Sequence, residues 1–260
     1  MIFNYKESTM NDLSISAAII AKNVEDTISE TINSISPFCK QIILVDTGSD
    51  DSTPFIASKL GAEVYFYNWN DDFSDARNFS LKFARKEWVL IIDTDEILDA
   101  SSLQNNLAFF NDDSIGGINI NIKNYLDDNL EQFSTHRYTR LFRNHPQIKF
   151  SGRIHEQIRD SIENTGLKII ESDILIHHFG YNQIDKSKKI RNLEILQQES
   201  DKSQNDFYLK YHLASTEFSL KNFENAKKNF EEIVDSNLLS IEQNEMSKIR
   251  GAQINLSEKD

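Results

Sequence analysis

The chain has 260 residues and a formal net charge of −13. So acidic a chain is poorly suited to binding nucleic-acid phosphates, and we expect no nucleic acid among its partners. Its single cysteine, Cys39, excludes an internal disulfide and suits the cytoplasm, where we expect the protein to work.

The polar residues 1–13 predict a flexible leader and not a signal peptide. No stretch of the sequence is long and apolar enough to predict a membrane span. Peripheral contact with a membrane stays open, because it needs no span.

Short apolar runs alternate with helical patterns over the first third of the chain. Buried strands are predicted at 15–21, 41–45, 63–67 and 88–92, and helices at 26–35, 54–60 and 75–85. Thr53 is a candidate N-cap, and Pro54 suits a first helical position. This alternation predicts an α/β fold with a doubly wound, mostly parallel sheet and helices on both faces.

The pattern changes after residue 96. A helix is predicted at 101–110 and strands at 117–123, 133–142 and 168–176, so the second half of the α/β domain is mixed. From Asp185 onwards the pattern is helical, with a hairpin at 207–220 and 223–234. Small and large residues in this hairpin match a tetratricopeptide repeat. They are Leu213, Ala214, Phe223, Ala226 and Phe230.

We therefore predict a leader at 1–13, an α/β domain at 14–184, a helical extension at 185–240 and a polar tail at 241–260. The tail is either frayed or the start of a second repeat. A single repeat cannot bury both of its faces, so it must lean on the preceding helix, on the α/β domain or on a partner. A homo-oligomer formed through the helical extension is one such arrangement.

Acidic residues follow the predicted strand 88–92 directly, as Asp93, Asp95 and Glu96. Ligands of open α/β sheets bind off the carboxyl ends of the strands. Two carboxylates at i and i+2 repel each other, and a divalent cation would offset that repulsion. The alternative is a solvated turn that caps the next helix.

Other polar residues follow neighbouring strands or open the third helix. They are Asn23, Glu25, Asp46, Asp50, Asp72, Asp75, Arg77 and Asn78. One acidic strand end is usually a helix cap, but several at one edge of a sheet indicate a site. The site would be strongly acidic for a phosphate ligand unless Arg77 and a bound cation corrected its charge.

Five motifs in order give the chain a recognisable pattern. They are ISAAIIAKNVEDTISETINSI, QIILVDTGSDDST, GAEVYFYNWNDDFSDARNFSLKFA, EWVLIIDTDE and the later HHFGY. Over about residues 14–200 the chain resembles family 2 glycosyltransferases of the GT-A fold. It is most similar to the bacterial branch with lipopolysaccharide-core glucosyltransferases and bacteriocin peptide S-glycosyltransferases, which often carry tetratricopeptide repeats.

The resemblance implies roles for residues on the donor side. Asp46 and Asp93 match acids that hold the uracil and ribose of a UDP-sugar. Asn23 and Glu25 match the nucleotide-side loop, and Arg77 matches a residue that faces the donor phosphate or sugar. Asp50 is a further donor-side candidate, from its place in the turn after the second strand. Asp95 matches the cation-binding acid of a DxD motif, and His178 matches a second metal ligand, with His177 as its rival. An imidazole ligand favours Mn²⁺ over Mg²⁺, although either cation is compatible.

A glycosyl transfer with inversion also needs a base that deprotonates the acceptor. The run SGRIHEQI is similar to one in the same branch and implies Glu156 for this role. The alternative is an exposed Glu156 paired with Arg153 or Arg159. Arg137, Arg140 and Arg143 could neutralise the diphosphate or simply pair with surface acids. At least one of Arg140 and Arg143 is expected to line the site, and Arg140 is preferred.

The implied partners are a nucleotide-sugar donor and an acceptor, which is a peptide, a saccharide or a lipid-linked glycan. Three other functions stay open at this point. A sugar nucleotidyltransferase would need a glycine-rich loop after the first strand, which AKNVED lacks. A non-catalytic scaffold would bind partners through the helical extension and bind no sugar nucleotide. A metal-independent transferase would keep its turnover in chelator.

Overall fold

The computed structural model describes residues 13–127, 129–179, 186–203 and 205–257. Within that part the chain forms two compact units, one of residues 13–152 and 156–179 and one of residues 153–155 and 186–257. Most of the predicted leader, the Gly180 and Tyr181 of HHFGY, and Asp185 lie outside the described residues. No helix in the described ranges is long and apolar enough to cross a membrane.

The first unit is built on an eight-stranded sheet in the order β3-β2-β1-β4-β7-β6-β8-β5. The strands are β1 (Ile15–Ala21), β2 (Gln41–Asp46), β3 (Glu63–Phe66), β4 (Trp88–Ile91), β5 (Glu96–Leu98), β6 (Ile115–Tyr125), β7 (Phe133–Arg143) and β8 (Lys168–His178). The pairings β1–β2, β1–β4, β2–β3 and β6–β8 are parallel, and those of β7 with β4 and β6 and of β5 with β8 are antiparallel. The mostly parallel sheet predicted from the sequence is confirmed.

Helices of the first unit follow the strands. They are α1 (Ile28–Ile35), α2 (Thr53–Lys59), α3 (Phe73–Leu81), α4 (Ala100–Gln104) and α5 (Arg159–Glu163). The sequence placed the start of α3 two residues late, because its N-cap is Asp72, whose carboxylate accepts from the Asp75 N–H at 3.0 Å. Thr53 is the first residue of α2 and not its N-cap, which is Ser52.

The continuous helix predicted at 101–110 is wrong. The α-helix ends at Gln104 and a 3₁₀ turn follows at Leu107–Asn111. Asn106 donates from its side-chain amide to the Ser102 carbonyl oxygen at 2.8 Å. An Asn side chain that bonds a backbone carbonyl competes with the helical ladder, which accounts for the break.

The centre of the sheet is buried on both faces. Every residue of β2 and β4 is buried, and Trp88, Ile19 and Ile43 are each at most 1% exposed. Strands covered on both faces need uninterrupted apolar runs, which is the pattern seen in the sequence. Since β1, β2, β4, β6 and β8 all point the same way, their carboxyl ends meet at one edge, here called the carboxyl edge.

Gly116 lies in β6 where the backbone packs closely against the segment before β8. A Cβ atom at this position would lie 2.5 Å from the Cβ of Leu167 and 2.8 Å from the Cγ2 of Ile162. We expect Gly116→Ala to destabilise the protein by about 1–3 kcal/mol, because neither neighbour is the end of a flexible side chain. Urea unfolding followed by tryptophan fluorescence measures the loss.

Gly251 is the matched control for this substitution. It lies within a helix of the second unit, and a Cβ there would meet nothing within 4 Å. Gly251→Ala should therefore stabilise its helix by up to about 1 kcal/mol, seen by circular dichroism. If Gly116→Ala were neutral or stabilising, the close packing of β6 on Leu167 and Ile162 would be contradicted.

The second unit is helical. Its helices are α6 (Lys186–Lys202), α7 (Phe207–Ser219), α8 (Phe223–Ser236) and α9 (Ile241–Ser257). Its core includes the small residues Ala214 and Ala226 and the large residues Phe230, Ile233 and Ile254. Residues 241–257 are helical and supply Ile254 to this core.

Candidate active site

The turn after β4 is held by its own side chains and by α1. The Asp93 N–H donates to the Glu96 carboxylate at 2.8 Å, and the Glu96 N–H donates to the Asp93 carbonyl oxygen at 3.2 Å. Thr31 of α1 donates from its hydroxyl to the Thr94 carbonyl oxygen at 3.0 Å. The next helix is capped by Asp99, so the alternative that Asp93–Glu96 caps it is wrong.

Asp46 is the last residue of β2, and only one of its two carboxylate oxygens is hydrogen-bonded. The residue is 1% exposed. Its Oδ1 accepts from the Gly48 N–H at 3.0 Å and the Ser49 N–H at 2.9 Å. Its Oδ2 is buried and has no hydrogen-bond partner among the described residues. A buried acceptor without a donor is costly, so this oxygen is suited to a ligand N–H or O–H.

Asn23 and Glu25 tie the loop after β1 to the loop after β2. Asn23 Oδ1 accepts from the Asp50 N–H at 2.8 Å, and Glu25 Oε2 accepts from the Ser52 N–H at 2.9 Å. The Asn23 N–H donates to Ser49 Oγ at 2.9 Å. Both side chains are exposed and use these oxygens to fix the two loops, while Asp50 takes part through its backbone and is itself exposed.

Arg77 joins Asp93 to Glu156. Its Nη2 donates to Asp93 Oδ1 at 2.8 Å and its Nε donates to Glu156 Oε1 at 2.7 Å. The Arg77 side chain is 8% exposed, and its Nη1 is buried with no hydrogen-bond partner among the described residues. Glu156 therefore pairs with Arg77, which was not among the partners that the sequence suggested.

The segment before Glu156 is brought to α3 by Asn78. Its amide donates to the Phe150 carbonyl oxygen and its oxygen accepts from the Phe150 N–H, each at 2.9 Å. A backbone bridge between Ser151 and Gln157 then closes the segment that carries Glu156. Arg77 and Asn78 are neighbours in α3, so one short helix places the segment and binds its carboxylate.

Arg140 supplies the second positive charge. Its Nη2 donates to Asp93 Oδ2 at 2.9 Å and to Glu96 Oε1 at 3.0 Å. Burial alone would raise the pKa of Asp93, but Arg140 and Arg77 hold it well below its usual range. Burial raises the pKa of Glu96 despite Arg140, and the charge on Asp93 adds to that rise. The cluster thus holds Asp93 ionised between two guanidinium groups.

His178 lies beside Asp95. Its Nε2 is 3.3 Å from Asp95 Oδ2, and its Nδ1 lies 2.7 Å from Asn124 Oδ1. Burial opposes a positive charge on the ring, but the hydrogen bond to Asp95 and the nearby carboxylates raise the pKa of His178 above its usual value. Asp95 and His178 have side chains that are 38% and 23% exposed, so both remain reachable from solvent.

His177 is directed elsewhere because neighbouring strand residues point to opposite faces. Its Nδ1 is hydrogen-bonded to the Tyr125 hydroxyl at 2.8 Å, and its Nε2 is 3.7 Å from Asp99 Oδ2. The structure therefore brings His178, and not its rival, to Asp95. In the described part of the chain no group of three or more His, Cys, Asp or Glu side chains is arranged to hold a metal ion.

The other two arginines of β7 lie apart from this cluster. Arg137 is half exposed and pairs with Glu171 at 3.2 Å. Arg143 pairs with Glu87 and lies 4.3 Å from the ring centroid of Trp88. Of the arginines in β7, Arg140 is thus the one that reaches Asp93.

Sequence reasoning assigned no role in the site to Asn124, His136 or Thr31. Asn124 is 2% exposed, and its amide nitrogen donates to His136 Nδ1 at 2.9 Å. Burial lowers the pKa of His136, with help from Arg140 and His178, which favours the neutral ring that can accept a hydrogen bond. The sequence signal was an Asn in an alternating strand, which gives no indication of its partners.

A comparison with known protein families identifies the family of this chain. Residues 16–179 match the family model of "Glycosyl transferase family 2". The chain belongs to this family. The match covers the whole sheet except the first residue of β1, and it includes Asp46, Arg77, Asp95 and His178.

Two curated relatives extend the comparison. The TPR repeat-containing protein Synpcc7942_0270 of Synechococcus elongatus is 32% identical over 151 residues, which cover 57% of this chain and 36% of the relative. The SPbeta prophage-derived glycosyltransferase SunS of Bacillus subtilis is 27% identical over 198 residues, which cover 71% of this chain and 44% of SunS. The chain thus matches less than half the length of either relative.

A solved structure shows the same fold. The mannosyltransferase PcManGT of Pyrobaculum calidifontis, in complex with GDP-Man and Mn²⁺, has a TM-score of 0.56 to this chain at 16% identity. The similarity covers 95% of this chain and 88% of PcManGT. The expected glycosyltransferase fold is confirmed.

Proposed function

We propose that this protein is a metal-dependent, inverting glycosyltransferase that takes a sugar from a UDP-linked donor. Support comes first from the family and then from two observations at the carboxyl edge. There, Asp46 carries a buried carboxylate oxygen without a donor, and the neighbouring strand ends bring Asp95 to His178. SunS is named a glycosyltransferase, and PcManGT was solved with a nucleotide-sugar and Mn²⁺.

On the donor side, Asp46 Oδ2 would accept a hydrogen bond from the N–H of the base. The loops after β1 and β2 are tied together by Asn23 and Glu25, so hydrogen bonds already hold the edge around Asp46 before a ligand arrives. Asp93 has both oxygens engaged by arginines, and it would meet the ribose from a fixed position. A prearranged pocket of this kind loses less conformational freedom on binding.

Asp95 and His178 fit a divalent cation. They offer one carboxylate and one imidazole 3.3 Å apart, and both are accessible to solvent. Such a mixed oxygen and nitrogen pair suits Mn²⁺ better than Mg²⁺. Two protein ligands are enough where substrate phosphates complete the shell. When bound, the cation would neutralise charge on the departing diphosphate.

Glu156 would accept the proton of the acceptor nucleophile. Arg77 engages its Oε1, and no described contact uses its Oε2. Because Arg77 also binds Asp93, one guanidinium sets the spacing between the donor-side acid and the base. The acceptor is a peptide, a saccharide or a lipid-linked glycan, and the helical unit would help to recruit it.

Ligand-dependent thermal stability tests the donor site. UDP, UDP-glucose, UDP-N-acetylglucosamine and GDP-mannose are each added with Mn²⁺ and with chelator. We expect UDP compounds to stabilise the protein only with Mn²⁺, by about 2.7 kcal/mol at 100 times the dissociation constant. Asp46→Asn keeps an oxygen for the Gly48 and Ser49 N–H groups but removes the free acceptor, and it should abolish the effect.

Asp113→Asn is the control for this substitution, because the Asp113 side chain is fully exposed at 101%. It should leave the ligand-induced shift unchanged. A well-folded protein that no nucleotide stabilises would contradict the donor site. An equal response in chelator would contradict the metal dependence, and a response to GDP-mannose alone would contradict the uridine preference.

A further inference from the structure

The hydrogen bonds around Asn124 determine which nitrogen of His178 carries a proton. Asn124 lies near the carboxyl end of β6 and pairs with His178 of the neighbouring strand β8. Its side chain is buried between two imidazole rings, with Oδ1 at 2.7 Å from His178 Nδ1 and Nδ2 at 2.9 Å from His136 Nδ1. An amide oxygen can only accept and an amide nitrogen can only donate.

Each ring is therefore restricted to one neutral tautomer. The His178 Nδ1 must carry the hydrogen that Asn124 Oδ1 accepts, so its Nε2 has a free lone pair. The His136 Nδ1 must be bare, because it accepts from Asn124 Nδ2. In the protonated ring Nε2 also carries a hydrogen, which bonds Asp95 Oδ2 at 3.3 Å, and in the neutral ring this Nε2 is the bare atom beside Asp95.

We propose that Asn124 is a positioning residue, which fixes the tautomer and orientation of His178 so that Nε2 and Asp95 present a two-atom cation site. The proposal rests on the proposed function for the identity of the ligand. The hydrogen bond that a metal-binding histidine donates from its other nitrogen fixes its tautomer and raises its basicity. Removing such a partner commonly lowers metal affinity by about 10-fold to 100-fold.

The opposite orientation of the amide gives a different site. If Asn124 donated from Nδ2 to His178 Nδ1, the neutral ring would carry its hydrogen on Nε2 and direct it at Asp95. Asp95 and His178 would then form a closed hydrogen-bonded pair, with no lone pair for a cation. The two arrangements thus differ in whether Nε2 of neutral His178 carries a hydrogen, which can be measured.

The first measurement is the tautomer of His178 in the wild-type protein without metal. Nitrogen-15 chemical shifts are recorded at a pH high enough to leave the ring neutral, and His178→Gln identifies the resonances. We expect hydrogen on Nδ1 and a bare Nε2. Hydrogen on Nε2 would overturn the proposal, whatever the protein's activity.

The second measurement is Mn²⁺ affinity in the presence of UDP, followed by electron paramagnetic resonance. Asn124→Leu removes both hydrogen bonds at similar volume and should weaken Mn²⁺ binding by about 10-fold or more. Asn124→Asp keeps an acceptor for the His178 Nδ1–H and should bind Mn²⁺ within about 3-fold of wild type, less than the loss on removing the partner. His136 can adapt to Asp by moving its own proton to Nδ1.

Asn119→Leu is the matched control on the same strand. Asn119 is 5% exposed and bonds Glu171 and Thr139 instead of a histidine. It should lose stability as Asn124→Leu does, yet keep wild-type Mn²⁺ affinity. Equal Mn²⁺ affinity in wild type and Asn124→Leu would overturn the role of Asn124 alone. Wild-type protein that binds neither UDP nor Mn²⁺ would overturn the proposed function. The tautomer measurement would still test whether Asn124 fixes the tautomer of His178, because it needs no bound ligand.

Discussion

Arg140→Met is expected to destabilise the protein by about 3 kcal/mol at neutral pH. Arg140 is the cation that Asp93 and Glu96 share, at 2.9 and 3.0 Å. The Glu96 side chain is 2% exposed and that of Arg140 is 15% exposed, so neither is screened well by water. Removing one partner of a buried ion pair leaves an uncompensated charge, which commonly costs about 3–5 kcal/mol. We expect a cost at the lower end of this range, because Asp93 is more exposed than Glu96 and keeps its ion pair with Arg77.

The loss should depend on pH in a definite direction. Burial and Asp93 already raise the pKa of Glu96 in the folded protein. Without Arg140 it should rise further, since the attraction that opposes the rise is gone. A carboxyl whose folded pKa lies above its unfolded pKa stabilises the fold at low pH, and that stabilisation is lost as pH rises through the folded value. The variant should therefore be closer to wild type at pH 5 than at pH 7.5.

Two further variants make this test specific. Glu96→Gln in the Arg140→Met background removes the buried Glu96 charge that has lost its partner. The glutamine keeps an acceptor for the Asp93 N–H, so the double variant should recover stability at pH 7.5. Arg137→Met removes an arginine from the same strand, but its partner Glu171 is exposed, so the change should stay within about 0.5 kcal/mol. An Arg140→Met variant as stable as Arg137→Met at neutral pH would contradict the buried cluster.

Apolar patterning was enough to predict seven of the eight strands of the sheet. The runs that became β1, β2 and β4 are buried on both faces, and their ends place Asp46 and Asp93 at one edge. Local patterns could not predict β5, because Glu96–Leu98 is a strand only through pairing with β8, more than seventy residues later. The expected turn at Glu96 therefore continues as a strand.

The partners of the charged residues were the least predictable feature. Local reasoning offered Arg153 or Arg159 for Glu156, yet Arg77 binds it from a helix 79 residues earlier. Asn124 and His178 meet across a strand pairing 54 residues apart. Side-chain pairing across a sheet depends on register, and a shift of one residue would have turned Asn124 to the other face. The residue types indicated a site, but the fold determined its contacts.

Glu156→Gln is expected to reduce the turnover number by about 10²-fold to 10⁴-fold, the range typical of losing a positioned general base. A glutamine keeps an oxygen for the Arg77 Nε–H at the position of Glu156 Oε1, so the segment should stay in place. What it loses is the basicity of the second oxygen, which no described contact uses. Nucleotide binding should persist, because Asp46, Asp95 and His178 are unchanged.

Comparing the loss of turnover with the loss of thermal stability shows whether Glu156 acts as a base. The alternative is that Glu156 serves only to neutralise Arg77, whose side chain is 8% exposed. In that case Glu156→Gln would lower the melting temperature and leave turnover of the surviving folded protein near wild type. Glu171→Gln, which removes an exposed carboxylate paired with Arg137, controls for the general effect of lost negative charge. Turnover measured with saturating donor and Mn²⁺, beside the melting temperature of each variant, separates a base that reacts from a carboxylate that only pairs.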